Sequence, residues 1–266
     1  MIRLIGIDVD GTLVGSSGTV HPLVWEAASH ARAAGIRLAL CSGRPAFGLA
    51  LEFARRLDEK GWHVFQNGAS VLNLGDGRSQ SSAIPTRWLR TFITRARETG
   101  QVLELYGNSE YVVESTAPWA REHADLLGVP FHPRPFESLE GEVVRAQWLL
   151  SPEAALVAMR ETYEGLEVAQ STSPVMSETR FVGLTREGVN KGSAMRTIAT
   201  ALGVDLADVM YVGDSGNDLA ALRIVGHPVA MGNADGAVLS VASRIVGDVE
   251  EGGLAEALRW AASTTA

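Results

Sequence analysis

Two aspartates, Asp8 and Asp10, close an apolar run in the stretch IGIDVDGTLV, with one valine between them. On a strand, alternate side chains point the same way, so carboxylates at i and i+2 repel unless water or a bound cation compensates. Three more polar stretches stand where other apolar runs end: CSGR at 41–44, NKG at 190–192 and GDSGND at 213–218. Together they offer carboxylates, a hydroxyl, an ammonium and turn-forming glycines, a set of parts for handling a phosphate group with magnesium. Magnesium takes oxygen ligands in a tight octahedron and keeps several waters, so two or three protein oxygens suffice. Asp8 and Asp214 are the natural pair, with the backbone carbonyl of Asp10 as a further ligand. A carboxylate beside such a metal can attack phosphorus and split one difficult displacement into two easier ones. Ser42, Lys191 and the amides of Gly11 and Thr12 are candidate donors to the phosphoryl oxygens. Asp10 is the second carboxyl group, able to protonate the leaving oxygen and later deprotonate water.

Elements that would position these groups can be read from periodicity. Ile2–Ile7 is a short buried strand; Pro22 opens a helix with Val24, Ala27, Ala28, Ala31 and Ala34 at helical spacing until Gly35 stops it; IRLALCSG is a second strand. A second helix is expected from Pro45 to about Lys60, and WHVFQNGASVL gives a third strand ending in an Asn-Gly turn. Alternating strands and helices predict a parallel sheet with crossover helices. The C-terminal third repeats the rhythm: a helix from about Gly192, strand VMYVG, a helix after Asp218, strand PVAMG, another helix, strand SRIVG and a last helix from Leu254.

The middle differs. TRWLRTFITRARETG is a basic amphipathic helix, QVLELYGNSEYVVES a hairpin across Gly107-Asn108, EVVRAQWLLS a strand, PEAALVAMRETYEG a helix, and EVAQSTSPVMSETRFVGLT two strands around a polar turn. This predicts an α+β unit over 85–185, inserted between two α/β segments, 1–84 and 186–266. Polar stretches at strand ends suit such a fold, because open α/β sheets place ligands beyond the carboxyl ends of their strands.

Bulk properties narrow the function classes. A chain of 266 residues with 46% hydrophobic residues can bury a sizeable core. A formal net charge of -8 disfavours gripping nucleic acid or an anionic membrane, though a metal and a few cations can reverse the field locally. Cys41 is the only cysteine and six histidines are scattered, so neither a disulfide nor a thiolate metal cluster is expected. No stretch approaches a membrane span, and Asp8 cuts the first apolar run early, so the expectation is a cytoplasmic protein, monomeric or homodimeric. The six tryptophans read as packing residues.

DVDGTLV, CSGR, the lysine of GVNKG and GDSGNDLAAL, in that order, resemble the four signature motifs of the haloacid dehalogenase superfamily. NGA at 67–69, AMGNA at 230–234 and the closing EEGGLAEAL are similar to its Cof-type branch, hydrolases with a Rossmann-like core and a large α/β cap. The resemblance implies that Asp8 is the nucleophile and a Mg2+ ligand. It makes Asp10 the general acid/base that lends its carbonyl to the metal, and Asp214 the acidic metal ligand. Ser42, Gly43 and Lys191 would hold the phosphoryl oxygens, with Asn217 and Asp218 in support and Arg44 and Asn67 on loops at the same rim. Ser42 stands where threonine is frequent and Ser215 where asparagine is frequent; neither change removes a needed group. Dehalogenases of the superfamily lack an acid at the position of Asp10, and ion-pumping ATPases carry threonine there. The implied activity is therefore hydrolysis of a small phosphate monoester through an aspartyl phosphate. The alternatives are a phosphomutase with the same intermediate and a non-catalytic sensor of a phosphorylated metabolite.

Overall fold

The apolar run after Met1 becomes β1 (Leu4–Asp8), buried along its whole length. In the computed structural model, which describes residues 1–173 and 175–265, it is followed by α1 (Pro22–Ala33), β2 (Arg37–Cys41) and α2 (Gly48–Asp58). The second helix begins three residues later than Pro45 suggests, after a loop that carries Ser42, Gly43 and Arg44. The third strand ends at the expected Asn-Gly turn, and the residues after it form a further strand. β3 (Trp62–Phe65) ends in a 3-10 turn at Gln66–Gly68 and returns as β4 (Ser70–Asn73), paired antiparallel to it. The break lies where Gln66 and Asn67 have φ of 52° and 55°, left-handed values that no strand accommodates.

The middle of the chain supplies α3 (Thr86–Thr99), β5 (Val102–Tyr106), β6 (Tyr111–Val113), α4 (Pro118–Leu127), β7 (Arg145–Leu150), α5 (Pro152–Ala158), β8 (Leu166–Thr172) and β9 (Arg180–Arg186). Its five strands form an antiparallel sheet in the order β6-β5-β7-β9-β8. The turn between β8 and β9 includes Pro174, which lies outside the described residues. One face of this sheet packs Leu103, Leu105, Ala146, Trp148, Val182 and Leu184 against Phe92 and Ala96 of α3 and Ala155 of α5. The basic helix thus buries its aliphatic side, as its amphipathic pattern requires.

The last third adds α6 (Lys191–Leu202), β10 (Val209–Gly213), α7 (Leu219–Leu222), β11 (His227–Ala230), α8 (Gly236–Leu239), β12 (Arg244–Ile245) and α9 (Gly253–Thr265). The helix expected after Asp218 is a single turn, and the strand expected at SRIVG is two residues long. Together with the first third they build a seven-stranded sheet ordered β12-β11-β10-β1-β2-β3-β4, parallel except for β4. One face of it packs Leu4, Ala39, Val64 and Tyr211 against Met195 and Ile198 of α6. Elsewhere in this unit α1 and α9 lie together, and their buried alanines, among them Ala27, Ala28, Ala31, Ala257 and Ala261, allow close approach. The chain divides into two compact units, one of Met1–Arg44, Ala50–Gln80 and the residues from Asn190 on, the other of Pro45–Leu49 and Ser81–Val189. Among the described residues no helix is long and apolar enough to cross a membrane.

Candidate active site

Parallel pairing of β1 with β2 and β10 aligns the carboxyl ends of these strands, so the loops after them converge. Asp8 is the last residue of β1 and opposes Cys41; Asp214 directly follows β10. The turn after Asp8 is tight. Val14 and Leu13 donate their N–H groups to the Val9 carbonyl (both 2.9 Å), and the Gly11 N–H donates to the Val14 carbonyl (2.9 Å). Gly11 has φ +89°, and a side chain there would run into the Asp214 carboxylate, so glycine is required on two counts. The Gly11 amide, and the Thr12 amide bonded at 3.3 Å to the Val9 carbonyl, are used inside this turn instead of pointing out as donors. The Thr12 Oγ1 is buried without a hydrogen-bond partner.

Lys191 sits at the start of α6, whose N-terminus is fixed by a capping box between Asn190 and Ser193. Gly192 packs on the backbone of Ala220 with no room for a side chain, which brings Lys191 beside the 217–220 turn. The ammonium is completely buried and has three partners: Asp8 Oδ1, Asp218 Oδ1 at 2.7 Å and Asn217 Oδ1 at 3.2 Å. Burial alone would lower its pKa, but Asp8 and Asp218 outweigh burial and hold the ammonium above the ordinary lysine value. Burial pushes the Asp8 carboxyl well above the usual carboxylate range; Lys191 opposes this, and the charges of Asp218 and Asp214 add to it. Asp214 is pushed up to about 6, by burial first and by Asp218 next.

Asp8, Asp214 and Asp218 each offer an oxygen, all within 4.8 Å of one another. Their roles separate on hydrogen bonding. Asp218 accepts from Lys191, from the Tyr211 hydroxyl (2.7 Å) and from the Asp214 and Ser215 amides (both 3.1 Å), so it is a fully satisfied strut. Asp214 Oδ1 is buried and has no donor among the described residues, its nearest carboxylate neighbour being Asp8. Three carboxylates crowd one ammonium, so their mutual repulsion is only partly compensated. That donor set fits a divalent cation that prefers oxygen.

The remaining expected residues surround this cluster. The Ser42 hydroxyl is buried and accepts the Arg44 N–H (3.0 Å), which leaves its proton free to be donated. Arg44 is aimed at Asp10 and grips it with two bonds, Nε to Oδ2 at 3.1 Å and Nη2 to Oδ1 at 2.5 Å. The Asp10 side chain is exposed and stands outside the carboxylate cluster, so any part it has in metal binding falls to its carbonyl. Asn217 accepts from Lys191 and from the Ser215 hydroxyl (2.9 Å) and donates through Nδ2 to Asn67 Oδ1 (3.2 Å). Asn67 therefore braces Asn217, and its side chain also lies against Gly43. Sequence reasoning missed Tyr211, whose buried hydroxyl fixes Asp218, because a tyrosine inside an apolar strand reads as core.

A sequence model of the haloacid dehalogenase-like hydrolases matches residues 5–258. YxeH of Bacillus subtilis is 27% identical over 263 residues, covering 97% of both chains. The 5-amino-6-(5-phospho-D-ribitylamino)uracil phosphatase YbjI of Escherichia coli is 25% identical over 270 residues, covering 97% of this chain and 95% of its own. The crystal structure of a haloacid dehalogenase-like hydrolase from Bacteroides thetaiotaomicron superposes with a TM-score of 0.85 at 24% identity, over 98% of this chain and 99% of that one. With the four motifs gathered at one end of the parallel sheet, the chain belongs to the haloacid dehalogenase-like hydrolases, in their Cof-type branch, and is a hydrolase of the phosphatase kind.

Proposed function

We propose that the protein is a Mg2+-dependent phosphatase that hydrolyses a small phosphate monoester, of a sugar or a sugar-like alcohol, through an aspartyl phosphate on Asp8. The observation that carries this reading is the crowding of three carboxylates, their oxygens within 4.8 Å of one another, around one buried lysine. Asp8 and Asp214 would hold the Mg2+, together with the Asp10 carbonyl. When bound, the ion neutralises phosphoryl charge and orients the ester for in-line attack. Lys191 restrains Asp8, keeps a positive charge where the phosphoryl oxygens arrive and exchanges one carboxylate partner for such an oxygen. The Ser42 hydroxyl donates to a second oxygen. Asp10 protonates the departing alcohol, then takes a proton from the water that cleaves the acyl phosphate. Its bonds to Arg44 fix where that carboxyl points. The inserted unit would act as a cap that selects the alcohol, and the ribityl phosphate ester in the name of YbjI supports a polyol-like leaving group.

Phosphate release from p-nitrophenyl phosphate and a panel of sugar and polyol phosphates, with and without Mg2+, tests the proposal beside Asp8→Asn. Mg2+-dependent release that vanishes in the variant is expected. Tight binding of an ester without release would overturn it.

A further inference from the structure

The AMGNA stretch and the EE before the last helix take no part in the chemistry above, yet both reach the loop that carries Asp10. Residues 231–235 are stitched to the Asp214 loop by two backbone bonds, Met231 N–H to the Gly213 carbonyl (3.1 Å) and Asp235 N–H to the Asp214 carbonyl (2.8 Å). From the same segment, the side chain of Asn233 donates through Nδ2 to the Gly11 carbonyl (2.8 Å), while its Oδ1 accepts the Val249 N–H (3.0 Å). One residue therefore ties the Asp10-Gly11 turn to the segment that already holds Asp214. A second tie lies further along: Glu250 Oε1 accepts both the N–H (2.6 Å) and the hydroxyl (2.8 Å) of Ser16. Gly11 meanwhile rests on the Asp214 carboxylate with no space for a side chain, so a shift of either loop is felt by the other.

Asn233 is exposed, and water can replace its bond to a carbonyl, so the net contribution to folding is small. Restraint is a different matter. The carbonyl it holds belongs to Gly11, at φ +89°, the residue directly after Asp10, so the bond bears on where Asp10 and its carbonyl stand relative to Asp214. Removing an outer partner of this kind typically costs roughly 10–100-fold in metal affinity.

We infer that Asn233 is a positioning residue: by holding the Gly11 carbonyl it sets the spacing between the Asp10 loop and Asp214, and with it divalent-cation affinity and the reach of Asp10. The part concerning Asp10 rests on the phosphatase reading; the part concerning the cation needs only the carboxylate cluster.

The test compares Asn233→Ala, which removes both bonds, with Asn233→Asp, which keeps the acceptor for Val249 and loses only the donor to Gly11. Mn2+ affinity is read by electron paramagnetic resonance without substrate, the melting temperature is read metal-free, and p-nitrophenyl phosphate turnover is read at saturating Mg2+. Both variants are expected to bind Mn2+ about tenfold more weakly, with melting temperatures near wild type and with kcat reduced more than KM is raised. For Asn233→Asp the loss runs against its added negative charge, which by itself favours a cation. Wild-type Mn2+ affinity in Asn233→Asp, or losses in both variants that only track a fall in melting temperature, would overturn the inference. If wild type hydrolyses no ester while the Mn2+ difference persists, the phosphatase reading fails and the positioning of the cation site stands.

Discussion

Each unit of the molecule buries a carboxylate among polar partners, and the two clusters are built on opposite principles. In the inserted unit Glu104 is fully buried and accepts from the Tyr106 hydroxyl (2.5 Å) and from Gln147 Nε2 (3.2 Å), with His123 Nδ1 at 2.8 Å. One carboxylate is met by three neighbours. In the other unit three carboxylates meet one ammonium, and Asp8 and Asp214 are both pushed upward. A lone buried carboxylate met by donors specifies packing, even with Gln147 Oε1 beside it unpartnered among the described residues; several carboxylates around one ammonium repel one another and suit a cation. Burial of charge is thus no sign of a site. Crowding of like charge is.

The largest contrast is expected in Asp8→Asn. It removes the proposed nucleophile, and turnover should fall by roughly a thousandfold or more, whereas the metal-free melting temperature should change little, because the relief of repulsion from Asp218 and Asp214 offsets the lost pair with Lys191, which keeps Asp218 and Asn217. A substantial loss of stability with activity retained would erase the distinction between the clusters. Asp218→Asn comes next. It takes a partner from buried Lys191 and from Tyr211, and breaking such a pair costs on the order of 3–5 kcal/mol, measurable by urea unfolding. Glu104→Gln, which leaves the shape and removes the charge, should cost less, roughly 1–3 kcal/mol, and should leave cation binding unchanged.

A pH effect of similar size is expected away from both clusters. His63 is fully buried; its Nδ1 accepts the Leu40 N–H (3.1 Å) and its Nε2 lies 2.8 Å from the Asp58 carbonyl, an arrangement that demands the neutral Nε2-protonated ring. Burial lowers its pKa to about 4, against the opposing pull of Asp58. The unfolded chain binds the proton first, so this contribution is present above about pH 6.5 and is lost as pH falls toward about 4, on the order of 3 kcal/mol in all. Urea titrations across that range should show the slope in wild type and a flatter one in His63→Gln. Equal slopes would contradict it.

Legibility in the sequence followed the same divide. The four motifs were readable because carboxylates, a lysine and glycines interrupt apolar runs at strand ends, where the parallel sheet then gathers them. Local periodicity also gave α1, β2, α3 and the β5–β6 hairpin. It gave the Asn-Gly turn after β3 but not the return as β4, because four residues of short apolar run carry no direction. Nor did it give the pairing of Arg44 with Asp10, the bond from Asn233 to Gly11, or the burial of Glu104, whose neighbours His123 and Gln147 lie 19 and 43 residues away. Contacts of that span come from topology, not from local pattern.

The central claim is that the first cluster crowds three carboxylates around one ammonium, whereas the second holds a single carboxylate among donors. Calorimetric titration of Mg2+ into wild type, Asp214→Asn and Glu104→Gln tests it directly. The account predicts one saturable ion per chain in wild type and in Glu104→Gln and none in Asp214→Asn; equal binding in all three, or no saturable binding in wild type, would contradict it.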